Sequence, residues 1–482
     1  MELYISEFSR YVITLIVFLY TYESFAVFRF QEEEGRGGIY ARQNLLMFAF
    51  HFCSFLVICF ETGDMAYLFF YAFQQIVLFA AIVLYHMLYP KTNRLVINNM
   101  CMLLSISFVI LTRFNLGKAI RQFAIVTASL VAALAIPFFV QKFKFLKKLQ
   151  WAYAMVGIAA LGVVMVLGQT TYGSKLSFSV AGVTFQPSEF VKILFVFFVA
   201  SALYQSSGFF EVFTTAVVAA AHVITLVISK DLGSALIFFV VYVLMVFVAT
   251  KNIFYLLAGA AGGSGAAYIA YRVFAHVQVR VQAWKDPWSV IDAAGYQITQ
   301  SLFAISSGGL FGLGLYKGTP GAIPLVEADF IFSAIAEEFG IIFAICLILV
   351  CVSSFIMFMG IAHRLEDAFY QLTAFGLGAT YIFQVFLTIG GGTKFIPLTG
   401  VTLPLISYGG SSVMTTLIMF AVMEGLHIIM EDQEEEHRKA QLRAKRRKKK
   451  AKGPGKEEEG FGRRGRVPRE DSWGEDIEYE EE

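Results

Sequence analysis

The stretch FIFSAIAEEFGIIFAICLILVCVSSFIM, residues 330–357, decides the fold. A helix needs about 20 mostly apolar residues to cross the hydrocarbon core of a bilayer. This run is longer than that, and Glu337 and Glu338 are its only charged residues. Working outward, runs of similar character recur near 10–28, 44–60, 66–89, 97–112, 122–140, 152–169, 190–205, 211–228, 231–249, 253–273, 367–390 and 411–430. The chain therefore reads as an all-α, polytopic transmembrane helical bundle of about 13 spans.

Composition agrees. Of 482 residues, 57% are hydrophobic and 15% charged, where a soluble chain carries about 25% charge. The charges are also unevenly placed. Residues 431–482 hold 15 of the 38 Lys/Arg and 16 of the 36 Asp/Glu. The remainder is too poorly charged to cover a soluble surface, which excludes a soluble enzyme, a nucleic-acid binder and a disordered chain. The net charge of +2 conceals opposed blocks in the tail. Cys53, Cys59, Cys101, Cys346 and Cys351 lie in apolar runs without metal-ligand spacing and read as small buried hydrophobes. The first apolar run lacks a small-residue cleavage site and reads as a signal anchor.

Lys and Arg in short loops set orientation. The basic stretch Arg443–Lys452 after the last span predicts a cytoplasmic C-terminus. Counting back puts Lys142, Lys144, Lys147, Lys148, Lys91 and Arg94 inside, and Glu61 and Asp64 outside. Arg113, Lys118 and Arg121 then fall outside, against the rule. An odd span count also places the N-terminus outside. Three regions follow: N-terminal helices over 1–150, a membrane core over 151–430 and a charged, disordered cytoplasmic tail over 431–482. The long loop 272–328 lies outside. It is too apolar and aromatic for disorder, so it predicts re-entrant or interfacial helices over an outward-facing cavity, including an amphipathic one from Tyr296 to Ile305. Gly259, Gly262, Gly263 and Gly265 predict close helix packing.

Ionisable groups are costly in or beside spans, so the few present draw notice. Gln186-Pro187-Ser188-Glu189 starts a helix, and Lys192 lies i+3 from Glu189. The two share a face, as an ion pair fixing a helix end or as substrate contacts. Asp231 begins another span, as a cap or as a cavity-lining group. Asp329 stands where the long loop enters the span at 330. It either caps that helix or, desolvated there, acts as a general base with a raised pKa. Glu337 and Glu338 lie too deep to join it and predict pairing with another helix. From Gly390 to Ser412, Gly and Pro break the helix at membrane depth. There Lys394, Ser407, Ser411 and Ser412 either pack or bind a phosphate or sugar.

In this order, these clusters resemble the SEDS family of bacterial membrane glycosyltransferases, which includes the rod-shape protein RodA, the division protein FtsW and the sporulation protein SpoVE. The matching stretches are 186–192, 231–235, 280–287, 295–314, 329–340 and 397–412. Members usually have ten spans, so the resemblance implies extra N-terminal spans here. Lys230, Ala328 and Thr402 depart from residues common in the family, and none of these departures removes a charged group of the clusters. The resemblance implies a polymerase of lipid II, the undecaprenyl-diphosphate disaccharide-pentapeptide, acting outside the cytoplasmic membrane in a cell-wall synthesis complex with a class B penicillin-binding protein. It implies that Asp329 is the essential catalytic carboxylate and that Glu189, Lys192 and Asp231 line or organise the cavity. In such a reaction a base assists the attacking hydroxyl and a cation steadies the leaving diphosphate. Asp329 is the expected base, with a divalent metal ion (Mg or Mn) as a candidate companion. Arg280, Lys192 and Lys394 are the candidate cations, and the Gly-rich loop Ser306–Gly318 shapes the entrance. The competing readings are a lipid II flippase using the same charges and a non-catalytic scaffold for the penicillin-binding protein.

Overall fold

The computed structural model describes residues 2–30, 33–171, 174–180 and 183–451. Helices α1 (Glu2–Ala26), α2 (Glu33–Thr62) and α3 (Met65–Leu88) come first, then α4 (Arg94–Phe114), α5 (Leu116–Ala133), α6 (Ile136–Lys142) and α7 (Gln150–Leu167). A small antiparallel sheet follows, with β1 (Gln169–Thr171), β2 (Ser174–Val180) and β3 (Val183–Phe185) in that order. The alternating pattern of SKLSFSV in β2 suits a strand. Next come α8 (Pro187–Leu203), α9 (Phe209–Ile228), α10 (Leu232–Thr250) and α11 (Ile253–Val273). The long loop carries α12 (Ala275–Lys285) and α13 (Tyr296–Gly308), and α14 (Ile331–Arg364), α15 (Ala368–Gly392) and α16 (Gly410–Ala451) end the chain's described part.

Among the described residues, 12 helical stretches are long and apolar enough to cross a membrane, with α5 and α6 forming one of them. The one expected span outside that set, 190–205, is the 17-residue helix α8. The chain is a multi-pass membrane protein. Short polar residues start many of these helices. Asp64, Asn93, Asn115, Asp231, Asn252 and Asp367 each accept a backbone N–H of the first turn and so satisfy a donor the helix cannot.

The core gathers around α4, which is buried from Leu95 to Thr112. Helices α14, α15 and α16 pack with it in one continuous apolar cluster. Within hydrocarbon, polar side chains on facing helices fix register by finding one another. Asn99 on α4 does this twice over. It accepts the Tyr20 hydroxyl of α1 at 3.0 Å and donates to Ser353 and Ser354 of α14 at 2.7 and 3.1 Å.

Two of the three loop cations that oppose the charge rule, Arg113 and Lys118, have carboxylate partners. Arg113 Nε donates to Glu338 Oε1 at 2.9 Å, and Lys118 pairs with Glu327. They lie at the end carrying the 272–328 loop, but as ion pairs rather than free charges. At the opposite end, Lys91 pairs with Asp432 at 2.6 Å and Lys147 with Asp367 at 3.0 Å.

Three expectations change. The charged tail does not begin disordered at Glu431: α16 continues to Ala451, through Glu, Gln, Lys, Arg and Ala that favour helix, with Lys439 Nζ 2.5 Å from Glu435 one turn back. Residues 452–482 lie outside the described residues. The glycines of α11 divide: a Cβ on Gly259 or Gly263 would strike Val243 or Phe239 of α10, whereas Gly262 and Gly265 face open space. The helix from Tyr296 does form, yet Ser301, expected with Gln297 and Gln300 on its polar side, is buried and bonded to Ser333 and to the Gly392 carbonyl.

Candidate active site

Asp329 precedes α14 but does not cap it: the N-cap residue is Phe330, with no side-chain bond. Among the described residues nothing hydrogen-bonds the Asp329 carboxylate. The segment leading to it is fixed from behind by the broken stretch between α15 and α16. Ser407 Oγ donates to the Ala328 carbonyl at 2.6 Å and accepts Leu403 N at 2.8 Å, and Tyr408 N donates to the Glu327 carbonyl at 2.7 Å. Ser407 is 1% exposed. It pins the backbone, since its proton and one of its two lone pairs are committed to main-chain groups.

Across from Asp329 stands Arg280 on α12. Its Nη1 donates to the carbonyls of Leu398 and Thr399 at 3.3 and 3.2 Å. One turn on, Trp284 Nε1 donates to the Lys394 carbonyl at 3.2 Å. The i, i+4 pair thus ties one face of α12 over residues 394–399. Between acid and guanidinium lies Gly400, at φ +77°, where a Cβ would sit 3.7 Å from Asp329 Oδ2 and 3.8 Å from Arg280 Nη2. Glycine is favoured there by the left-handed backbone, and a Cβ would fill the gap at ordinary contact distance.

Burial pushes the Asp329 carboxyl up to about 6, and the charge of Arg280 draws it partly back. Burial likewise lowers the pKa of the Arg280 guanidinium, against the pull of Asp329 and Asp231. The pKa of His276, on the same helix, is lowered by burial, with Arg280 and Lys230 adding to the effect.

Asp231 does cap α10, accepting Ser234 N at 3.1 Å on Oδ1. Its Oδ2 accepts the Ser188 hydroxyl at 3.0 Å. The start of α10 packs against 399–401: a Cβ on Gly233 would meet Val401 at 2.6 Å and the Thr399 carbonyl at 3.0 Å. The Thr399 hydroxyl oxygen is buried without a hydrogen-bond partner among the described residues.

A second group of charges is buried on α8. Lys192 Nζ lies 2.7 Å from Glu189 Oε2 and donates to Gln384 Oε1 at 2.7 Å. Gln384 Nε2 passes the link to the Thr402 carbonyl at 3.0 Å. Thr402 Oγ1 donates to Ser412 Oγ at 2.7 Å, and Ser411 Oγ accepts Gln186 N at 2.9 Å. Glu189, Lys192 and Ser412 therefore brace the 402 turn. The structure brings Asp329, Arg280 and the start of α10 together. It ties Lys394 in through its carbonyl, and the ammonium has no partner among the described residues. Thr399 and Gly400 fall in the Gly390–Ser412 stretch that the sequence marks, whereas Gln384 was not foreseen. Gln384 had a signal, as an uncharged polar residue in an apolar span.

The chemistry of the donors bears on a metal. Among the described residues there is no group of three or more His, Cys, Asp or Glu that could hold one. Asp329 and Asp231 both act on the charge of Arg280, and Asp329 Oδ2 lies beside Gly400.

A helical bundle with 12 stretches able to cross a membrane, carrying at its loop end a half-buried carboxylate opposite a guanidinium, defines a multi-pass membrane protein. The chain belongs to the FtsW/RodA/SpoVE family of cell cycle proteins, whose sequence profile matches residues 85–431. It is 35% identical over 267 residues to the peptidoglycan glycosyltransferase RodA of Mycobacterium tuberculosis H37Rv, a match covering 52% of this chain and 57% of that protein. It is 30% identical over 335 residues to the probable peptidoglycan glycosyltransferase FtsW of Bacillus subtilis strain 168, covering 63% and 79%. The match to the mycobacterial relative thus spans little more than half of that protein's length. Among solved structures, a chain from a peptidoglycan synthase complex that coordinates polymerization and crosslinking shares the fold at TM-score 0.61, with 23% identity over 70% of this chain and 97% of that one. Thermus thermophilus rod shape determining protein RodA does so at TM-score 0.54, with 22% identity over 70% and 96%.

Proposed function

We propose that this chain is a peptidoglycan glycosyltransferase that polymerises lipid II on the outer face of the bacterial cytoplasmic membrane, with its C-terminus in the cytoplasm. The observation that carries the reading is Asp329: a carboxylate with no hydrogen bond among the described residues, raised toward neutrality by burial, facing Arg280. At pH 7 it is mostly ionised, yet a stronger base than an ordinary carboxylate.

In the reaction the C4 hydroxyl oxygen of the acceptor GlcNAc attacks C1 of the donor MurNAc. The C4–O–C1 bond forms as the bond from C1 to the diphosphate oxygen breaks, and its electron pair leaves with the undecaprenyl diphosphate. Asp329 accepts the hydroxyl proton. Arg280, already anchored through Nη1 to two carbonyls, offers its remaining donors to the charge developing on the diphosphate. A divalent ion, where used, would be held by Asp329 and would offset negative charge on the diphosphate. Strand crosslinking would fall to a class B penicillin-binding protein partner, a role supported by the family and by the fold shared with a synthase complex.

The test is polymerisation of lipid II by the purified chain in detergent. Detergent leaves no two sides to transport between, so glycan product supports the enzyme. Its absence from active-partner preparations as well would favour the flippase or the scaffold.

A further inference from the structure

Helices α1 and α2 precede the family match, which begins at residue 85. They nevertheless hold the loop that leads to the site. Arg10 Nη1 donates to the Gly312 carbonyl at 3.1 Å, and the Tyr11 and Phe311 rings pack with centroids 5.1 Å apart. Glu61, at the end of α2, pairs with Lys317 at 2.8 Å. All three contacts grip the loop after α13.

That loop is laced to a break in α14. Gly340 leaves helical geometry at φ 88° and ψ 169°, which frees main-chain groups for partners outside the helix. Leu313 N and Gly314 N donate to the carbonyls of Glu337 and Glu338 at 2.9 and 3.0 Å, and Ile341 N and Ile342 N donate to those of Gly309 and Leu310 at 3.0 and 3.3 Å. The contact is backbone on backbone: a Cβ on Gly340 would lie 2.3 Å from Gly312 N, and one on Gly312 would lie 2.1 Å from the Glu338 carbonyl oxygen. The first segment of α14, from Ile331 to Phe339, is therefore held by this loop, and Asp329 stands two residues before it. The amide of Asn99 also bridges α1 to α14, accepting from Tyr20 and donating to Ser353.

We propose that Arg10 and Glu61 are positioning residues, through which the N-terminal helices clamp the 309–318 loop and, by its bonds to 337–342, fix the carboxylate of Asp329. As a statement about catalysis the proposal rests on Asp329 being the base. A small misplacement of a reacting group costs rate rather than affinity.

The test uses the full chain as wild type, Arg10→Ala, Glu61→Lys and the exchange Glu61→Lys with Lys317→Glu. Each is assayed for lipid II polymerisation and for amide hydrogen exchange. Arg10→Ala and Glu61→Lys are expected to lower kcat by about 5-fold, with KM changed by less than about 2-fold. Exchange is expected to rise in 309–318 and onward through 329–340 while α7 to α10 stay protected, and the exchange of charges is expected to restore both readouts. Faster exchange confined to α1 and α2, or a rise in KM at unchanged kcat, overturns the clamp. The exchange pattern does not depend on turnover, so it decides the proposal even if the chain proves not to polymerise. Loss of the clamp effect, in turn, leaves the consequence of Asp329→Asn untouched.

Discussion

The ion pair between Arg113 and Glu338 offers the sharpest test of the packing. The Glu338 side chain is 0% exposed and that of Arg113 17%, with Nε 2.9 Å from Oε1. Arg113 also donates to the Gly318 carbonyl at 3.3 Å, and its guanidinium lies over the Tyr316 ring at 4.3 Å. Truncation in Arg113→Ala leaves a buried carboxylate without its counter-charge. Breaking a buried pair from one side costs about 3–5 kcal/mol, whereas replacing both partners with apolar groups of similar volume is often neutral or better. We therefore expect Arg113→Ala to lose about 3–5 kcal/mol, Arg113→Ala with Glu338→Gln to recover part of it, and Arg113→Met with Glu338→Leu to fall within about 1 kcal/mol of wild type. The exposed pair Lys91–Asp432 serves as the control, and Lys91→Ala should cost at most about 1 kcal/mol. Reversible unfolding of the purified chain in mixed micelles measures all four. If Arg113→Ala is no worse than Lys91→Ala, the reasoning about the buried charge is refuted.

Three further outcomes follow from the site. Initial polymerisation rates should rise with pH around a midpoint of about 6, because only the ionised Asp329 accepts the proton; Arg280→Gln, which removes the cation drawing that value down, should move the midpoint upward, and a flat profile from pH 5 to 7 would count against the base. Gly400→Ala should cost about 1–2 kcal/mol of stability for its left-handed backbone and more than about 10-fold in kcat, since its methyl group enters the gap between Asp329 and Arg280. Ser407→Ala should cost about 1–3 kcal/mol by leaving Leu403 N without its acceptor, a loss read by the same unfolding measurement.

Much of the fold was legible because a bilayer imposes one length and one polarity on each span. The start of α8 at Pro187 and the pairing of Glu189 with Lys192 were legible too, being set by neighbours in sequence. What sequence did not disclose is contact between distant segments. Arg113 and Glu338 lie 225 positions apart, and Lys192 and Gln384 lie 192 apart. A loop-charge rule counts Arg113 and Lys118 without their carboxylate partners, which accounts for two of the three cations in the discordant loop. Ser407 carries the same lesson: a hydroxyl in a Gly-rich break suggests a ligand, but only its place beside Ala328 shows that it serves the backbone. The tail was misread from Glu431 because charge density alone does not distinguish a solvated coil from a helix built of Glu, Lys, Arg and Ala.

The most direct measurement is lipid II polymerisation in detergent by the purified chain, comparing wild type, Asp329→Asn and Asp329→Glu, with each variant shown to be folded by its unfolding transition. The account predicts glycan product from wild type, loss of about 100-fold or more in Asp329→Asn, where no proton acceptor remains, and partial activity in Asp329→Glu. A folded Asp329→Asn chain that polymerises at the wild-type rate would contradict it.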